Sequence, residues 1–400
     1  MPLLVLRDSA IEHNLRAMAD WCARAGVLIA PHGKTTMAPQ LFARQLAAGA
    51  WGITAATISQ AQVYRAFGIA RILIANELTD PAGIGWLAAE LTADPSWECL
   101  AYADSYAGVR LLAETLRAHG AGRPLGVLVE LGFPGGRTGC RTVADALDVA
   151  AAVRAADGLV LAGVAGYEGG LGADTGAETL TRVAAFCADL RELAGRLPGE
   201  PPPPAGPEGG PVPRPSWIVS AGGSAYFDIV ASELTARETG AHPLTVVLRS
   251  GCYVTHDHGT YAMLSPAAGR GGPALVPALE LWAPVLSCPE PGVAIVCAGR
   301  RDASFDQGLP VPLRVRPVSG GRPAGGERHP RAVPVPPGQL VVTRLDDQHG
   351  YLHGPAVANL APGDLICLGI SHPCSTFDKW RVIPVVDDGH RVIDVVHTFF

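Results

Sequence analysis

The chain has 400 residues, 48% of them hydrophobic and 17% charged, so it can bury a sizeable core and hold one large or two ordinary domains. A net charge of −6 with no lysine or arginine block argues against nucleic acid or an anionic membrane surface as partner and points to a small molecule. Nine cysteines without paired spacing, no basic-then-apolar leader and no apolar run of spanning length set the expectation of a cytoplasmic protein.

In chain order, Leu3 to Leu6 reads as a short strand, followed by a helix that Asp8 or Ser9 can cap and that carries Ile11, Leu15 and Met18 on one face. Short apolar strands then recur at Val27–Ala30, Trp51–Thr54, Arg71–Ala75, Cys99–Tyr102, Gly126–Leu131, Leu159–Ala165, Trp217–Ser220 and Thr245–Leu248. Alanine- and leucine-rich segments with helical spacing separate them, among them Ser59–Phe67, Gly108–His119, Val143–Ala155 and Glu178–Leu197. This α/β alternation predicts a (β/α)8 barrel of the TIM type over residues 8–249, with a doubly wound open sheet as the alternative. Pro198 to Pro215 breaks the rhythm and is expected to be a flexible surface excursion. From residue 250 the pattern changes to strands rich in valine and proline at Leu279–Val285, Val293–Cys297, Leu340–Thr343, Leu365–Leu368 and Val382–Val386. They predict a C-terminal β domain over 250–400, which the strand in residues 1–7 is expected to join, with Gly320–Pro337 as a mobile loop inside it.

In such a barrel the functional groups follow the strand ends. Lys34 follows the first barrel strand in Pro-His-Gly-Lys-Thr-Thr-Met-Ala-Pro, where an ammonium near apolar walls can serve as a Schiff-base amine or a base; a lysine that merely caps a strand end is the plainer alternative. Asp104-Ser105, the loop Gly135-Gly136-Arg137-Thr138-Gly139, Tyr167-Glu168-Gly169 and Gly222-Gly223-Ser224 follow later strands. A Gly-Gly-Ser turn that opens a helix can cradle a phosphate, and a reactive lysine with a phosphate cradle together suggest pyridoxal phosphate. Near the C-terminus, His372 and Cys374 stand two apart in Ser-His-Pro-Cys-Ser-Thr-Phe-Asp-Lys-Trp, so in an extended segment both side chains point one way and can share a metal, zinc by donor softness. His256 and His258 form a His-x-His pair, and His349 follows Asp-Asp-Gln.

Pro31-His32-Gly33-Lys34-Thr35, the Gly-Gly-Ser turn and above all Ser-His-Pro-Cys-Ser-Thr-Phe-Asp-Lys-Trp resemble the D-serine dehydratase and D-threonine aldolase family of fold-type III pyridoxal phosphate enzymes. The resemblance implies an alanine racemase-like barrel with a C-terminal β domain, a head-to-tail homodimer, and pyridoxal 5′-phosphate bound to Lys34. It also implies Arg137 and Tyr167 on the pyridine side, Gly222, Gly223, Ser224, Cys252 and Tyr253 around the phosphate, zinc on His372 and Cys374, and His349 lining the substrate pocket. The implied activity is a dehydratase (deaminase) of β-hydroxy-D-amino acids that gives a 2-oxo acid and ammonia. A D-threonine-type aldolase that breaks Cα–Cβ is the runner-up, and a pyridoxal phosphate-binding protein without turnover is the reading from another class.

Overall fold

Strands that are apolar at most positions cannot face water on either side, and the eight largely apolar strands between residues 28 and 248 solve this by closing on themselves. The computed structural model describes residues 2–202, 216–235, 243–267, 269–318 and 331–400. After a first strand β1 (Leu3–Arg7) come β2 (Leu28–Ile29), β3 (Ile53–Ala55), β4 (Arg71–Glu77), β5 (Glu98–Ala103), β6 (Leu125–Leu131), β7 (Leu159–Gly166), β8 (Trp217–Ala221) and β9 (Leu244–Leu248). Strands β2 to β9 form one parallel sheet in the order β2-β9-β8-β7-β6-β5-β4-β3. Its two ends meet: the Trp51 N–H donates to the Ile29 carbonyl at 2.7 Å, the Thr54 N–H to the Pro31 carbonyl at 2.9 Å, and His32 bridges Thr54. The sheet is therefore a curled barrel, and the open doubly wound alternative does not hold.

The outer helices start where the sequence supplies a cap. Thr57, Asp80, Ser105 and Thr142 each accept a backbone N–H at the start of the helices Ile58–Ala66, Pro81–Ala93, Tyr106–Ala118 and Val143–Ala155, a contribution of about 1 kcal/mol per cap. Leu73, Tyr102, Leu128, Ala162 and Ala165 pack together as a cluster contributed by four barrel strands.

The second sheet contains β10 (Leu279–Glu290), β11 (Val293–Val296), β12 (Val311–Arg316), β13 (Val333–Pro334), β14 (Val341–Leu345), β15 (Gly350–His353), β16 (Leu365–Gly369), β17 (Val382–Val386) and β18 (Val392–His397). Its main path is β13-β12-β16-β10-β1-β17-β18, and β11, β15 and β14 continue from β10. β1 lies antiparallel to β10, Leu4 opposite Leu281, and parallel to β17, Leu6 opposite Val385. One hydrophobic core runs through both sheets, from Ile53, Ile72 and Val129 of the barrel to Leu4, Leu281, Ile366 and Phe377.

Three expectations change in detail. The first barrel strand is only Leu28–Ile29, because Val27 still closes the preceding helix by donating to the Cys22 carbonyl after Gly26 at φ +68°. Strands β12, β13, β15 and β18 go beyond those read from the sequence, and the short β13 lies within the segment expected to be a loop, paired with β12. Residues 320–330 of that segment and 203–215 of the proline-rich excursion lie outside the described residues.

Candidate active site

A parallel barrel delivers all its strand ends to one rim, and here that rim surrounds a cavity of about 390 Å³. Lys34 enters it from a 3-10 turn, Gly33–Thr35, that follows β2. Its ammonium has no hydrogen bond or ion pair among the described residues. The turn is held from several sides: the Met37 N–H donates to the Gly33 carbonyl at 2.8 Å, and the Phe399 N–H to the Met37 carbonyl at 2.9 Å. Met37 is buried at φ +44°, a strained conformation worth roughly 1–3 kcal/mol that surrounding contacts must impose. Gly251, two residues after Arg249, is the other requirement, since a Cβ there would stand 2.6 Å from the His32 carbonyl and 2.7 Å from Thr35 Oγ1.

The walls are cationic. Lys34, Arg137 and Arg249 all line the cavity, and together with burial they hold the His32 imidazole well below its ordinary value, hence neutral. His32 Nδ1 is buried without a partner. Arg137 stacks its guanidinium 4.2 Å from the Tyr167 ring centroid. Arg249 lies at the floor, donating to Ser220 Oγ at 3.0 Å and to the Gly166 carbonyl at 2.7 Å, so its charge is fixed in place.

Ser224 and Cys252 line the same cavity, with the Cys252 N–H donating to Ser224 Oγ at 3.3 Å. Gly222 and Gly223 behave otherwise than a phosphate cradle requires. Their N–H groups donate to the buried Glu168 carboxylate at 3.1 and 2.6 Å, because Gly222 at φ +90° turns the chain toward it. Tyr253 is buried in the main hydrophobic core and does not line the cavity. His349 is exposed on the turn between β14 and β15, away from its own chain's cavity. His256 and His258 are mostly buried, burial lowers both to about 4, and neither lines the cavity. Ser105 caps a helix, and Asp104 accepts the Gly139 N–H at 3.1 Å.

The β domain closes the cavity with His372 and Cys374. The segment is not extended as expected: β16 ends at Gly369 and Cys374 opens a one-turn helix, Cys374–Phe377, so strand alternation does not govern the pair. The turn nevertheless brings them together. His372 Nδ1 lies 2.7 Å from Asp306 Oδ2, and Cys374 Sγ lies 3.4 Å from Thr35 Oγ1 and 3.5 Å from Cys252 Sγ. Burial opposes charge on His372, but Cys374 and Asp306 outweigh it and raise the imidazole to about 9. The Cys252 thiol, then His372 and Thr35, draw Cys374 well below the usual thiol range against its burial. Each of the two groups therefore favours the charged form of the other. Among the described residues no group of three or more His, Cys, Asp or Glu is placed to hold a metal, so a metal here would have two protein ligands.

His32, Thr35, Arg249, Asp306, Tyr261 and Gln307 also line or support this site; the sequence motif around Lys34 includes His32 and Thr35 but gives them no role, and the other four were passed over. Arg249 was within reach, because it follows a barrel strand as Lys34 does. Asp306 was not, because 66 residues separate it from His372.

Residues 7–202 match the family "Alanine racemase, N-terminal domain", and residues 278–386 match "Putative serine dehydratase domain". A D-threonine aldolase of Arthrobacter sp is 28% identical over 402 residues, covering 97% of this chain and 89% of that protein. A 3-hydroxy-D-aspartate aldolase of Paracoccus denitrificans is 27% identical, covering 77% of this chain and 74% of the relative. Among solved structures, D-threonine aldolase from Filomicrobium marinum superposes with a TM-score of 0.78 at 26% identity, covering 100% of this chain and 94% of that one. D-threo-3-hydroxyaspartate dehydratase from Delftia sp. HT23 shares the fold, with a TM-score of 0.73 at 22% identity over 100% of this chain and 97% of the other. No helix among the described residues is long and apolar enough to cross a membrane.

Proposed function

We propose that this chain, which belongs to the fold-type III pyridoxal phosphate lyases that join an alanine racemase N-terminal domain to a serine dehydratase domain, eliminates water from β-hydroxy-D-amino acids to give a 2-oxo acid and ammonia. The observation that carries this reading is the meeting of Lys34 with the His372–Cys374 pair in one cationic cavity.

The residues present suit an anionic pyridine aldehyde. Three cations face the cavity, its buried carboxylate Glu168 is already engaged with backbone amides, and His32 Nδ1 lacks a partner. Lys34 would bear pyridoxal phosphate, Arg137, Tyr167 and Arg249 would face the ring, and the Ser224 hydroxyl, which the Cys252 N–H holds in place, would meet the phosphate. When bound, the cofactor supplies the electron sink for a negative charge at Cα. Lys34 Nζ, which has no hydrogen bond or ion pair among the described residues, is the base for the Cα proton, and burial together with the three cations makes the His32 imidazole too weak a base to compete. The donor set of His372 and Cys374 suits zinc, since the carboxylate of Asp306 on Nδ1 leaves Nε2 as the free imidazole donor. Zinc there would supply Lewis-acid assistance to departure of the β-hydroxyl.

Aldol cleavage to glycine and an aldehyde is the second reading, favoured by the D-threonine aldolase whose similarity spans nearly the whole chain. It uses the same residues, and the thiolate of Cys374, softer than a carboxylate, is what favours elimination with zinc. A panel of β-hydroxy-D-amino acids scored for ammonia and for aldehyde separates the two. Ammonia with a 2-oxo acid is expected, and aldehyde as the main product would overturn the elimination reading. Borohydride reduction followed by peptide mapping is expected to put the pyridoxyl group on Lys34, and a label on another lysine would sink that assignment. Zinc is tested separately: exhaustive chelation should abolish ammonia release while the cofactor's visible absorbance stays, and full activity in zinc-free protein would remove the metal from the proposal. The reading includes a homodimer, and an active monomer in sedimentation would refute it.

A further inference from the structure

We propose that Cys374 and Cys252 form a reversible disulfide across the cavity when the protein meets a peroxide, a modification site that joins the barrel covalently to the β domain. Of the nine cysteines, all free, this is the one pair among the described residues whose sulfurs are in contact, at 3.5 Å. They lie 122 residues apart in sequence, one at the exit of β9 and one at the start of the Cys374–Phe377 helix. Thr35 Oγ1 sits against both, 3.4 Å from Cys374 Sγ and 3.9 Å from Cys252 Sγ.

Exposure assigns their roles. Cys374 is half-buried and lines the cavity, so a small oxidant reaches it, whereas Cys252 is buried behind it at 4% exposure. The sulfur of Cys374 attacks one peroxide oxygen, the O–O bond breaks, and the leaving hydroxide takes up the proton of the Cys374 thiol as water. The thiol of Cys252 then attacks the Cys374 sulfenic acid, the S–S bond forms and water departs. Two thiols lose two electrons and two protons, and one peroxide becomes two waters. Going from 3.5 Å to a disulfide bond of about 2.05 Å brings the two sulfurs closer by roughly 1.5 Å. The bridge would withdraw the Cys374 sulfur from any metal and shift Cys252, whose N–H holds Ser224 Oγ. It requires neither cofactor nor metal, so it stands apart from the lyase reading.

The experiment treats the purified full-length protein, both as isolated and after dialysis against a chelator, with a small excess of hydrogen peroxide. Remaining thiols are alkylated and the digest is mapped without reduction. The expected result in the dialysed protein is a linked peptide pair containing Cys252 and Cys374 that dithiothreitol separates. In Cys252→Ser, Cys374 should instead advance to sulfinic acid, which dithiothreitol does not reverse. If both cysteines in both preparations stay fully alkylated, if Cys374 links to a different cysteine, or if Cys252→Ser leaves the oxidation of Cys374 reversible and unchanged, the proposal fails.

Discussion

Glu168 engages both carboxylate oxygens with the N–H groups of Gly222 and Gly223, fully buried, where a sequence reading expects a phosphate. Glutamine in its place offers one acceptor oxygen and turns an amide donor toward an N–H donor. Glu168→Gln should therefore cost about 1–3 kcal/mol of stability, seen as a lower urea midpoint with an unchanged slope; a midpoint equal to the parent's would show that the turn does not need the carboxylate. Glu77 makes the opposite case. Among the described residues both its oxygens are buried without a hydrogen bond of normal geometry, and burial, then the adjacent Glu130, raises its carboxyl from an ordinary 4.5 to about 8. The folded chain thus keeps a proton that the unfolded chain loses near 4.5, so this group erodes stability as pH rises from about 4.5 to about 8. Glu77→Gln should gain on the parent across that window, reaching roughly 1–3 kcal/mol at its alkaline end. Thermal melts at pH 5 and pH 8.5 test this, and an advantage that shrinks with pH would contradict the assignment.

At the scale of elements, Glu280 on β10 ties three segments together. It accepts from Arg314 of β12 and from Trp282 Nε1 at 3.1 Å, faces His390 at 2.8 Å, and pairs with Arg7 of β1 at 3.7 Å. Burial alone would raise its carboxyl, but Arg314 and His390 outweigh burial and hold it below the ordinary value. A depressed folded value means that its contribution is present above the unfolded pKa and is lost as pH falls through the folded one. Glu280→Gln should destabilise by about 1–3 kcal/mol at pH 7 and flatten the acid limb of the stability profile, and an acid limb identical to the parent's would place the acid sensitivity elsewhere. The barrel strands were legible because parallel strands buried on both faces read as plain apolar runs. β12 and β18 were not, since Arg314 and Arg316 interrupt the first and Asp394 the second, where each strand meets solvent on a face or edge. At the site, Lys34, Arg137, Tyr167 and Ser224 were marked by strand ends and His372 and Cys374 by one unusual C-terminal stretch, whereas Cys252 was named only through the family resemblance. The contact of Cys252 with Cys374 could not be named in advance, because no local pattern reports a pair that distant in sequence.

For the molecule as a whole, a core shared by both sheets and a site built from both imply cooperative unfolding. Far-ultraviolet dichroism and tryptophan fluorescence should trace one transition in the full chain, and residues 8–249 expressed alone should fail to give a soluble folded barrel. Two well-separated transitions would show that the sheets stand independently. The placement of β1 also has a cost in time. Among the described residues the apolar strand Leu3–Arg7 pairs with β10 and β17, which begin at residues 279 and 382, so at ~5–20 residues per second a growing chain carries it unpaired for roughly 15–60 s. During that interval both its edges are open to any other strand, so of the strands in this sheet β1 is the one the nascent protein must shield longest.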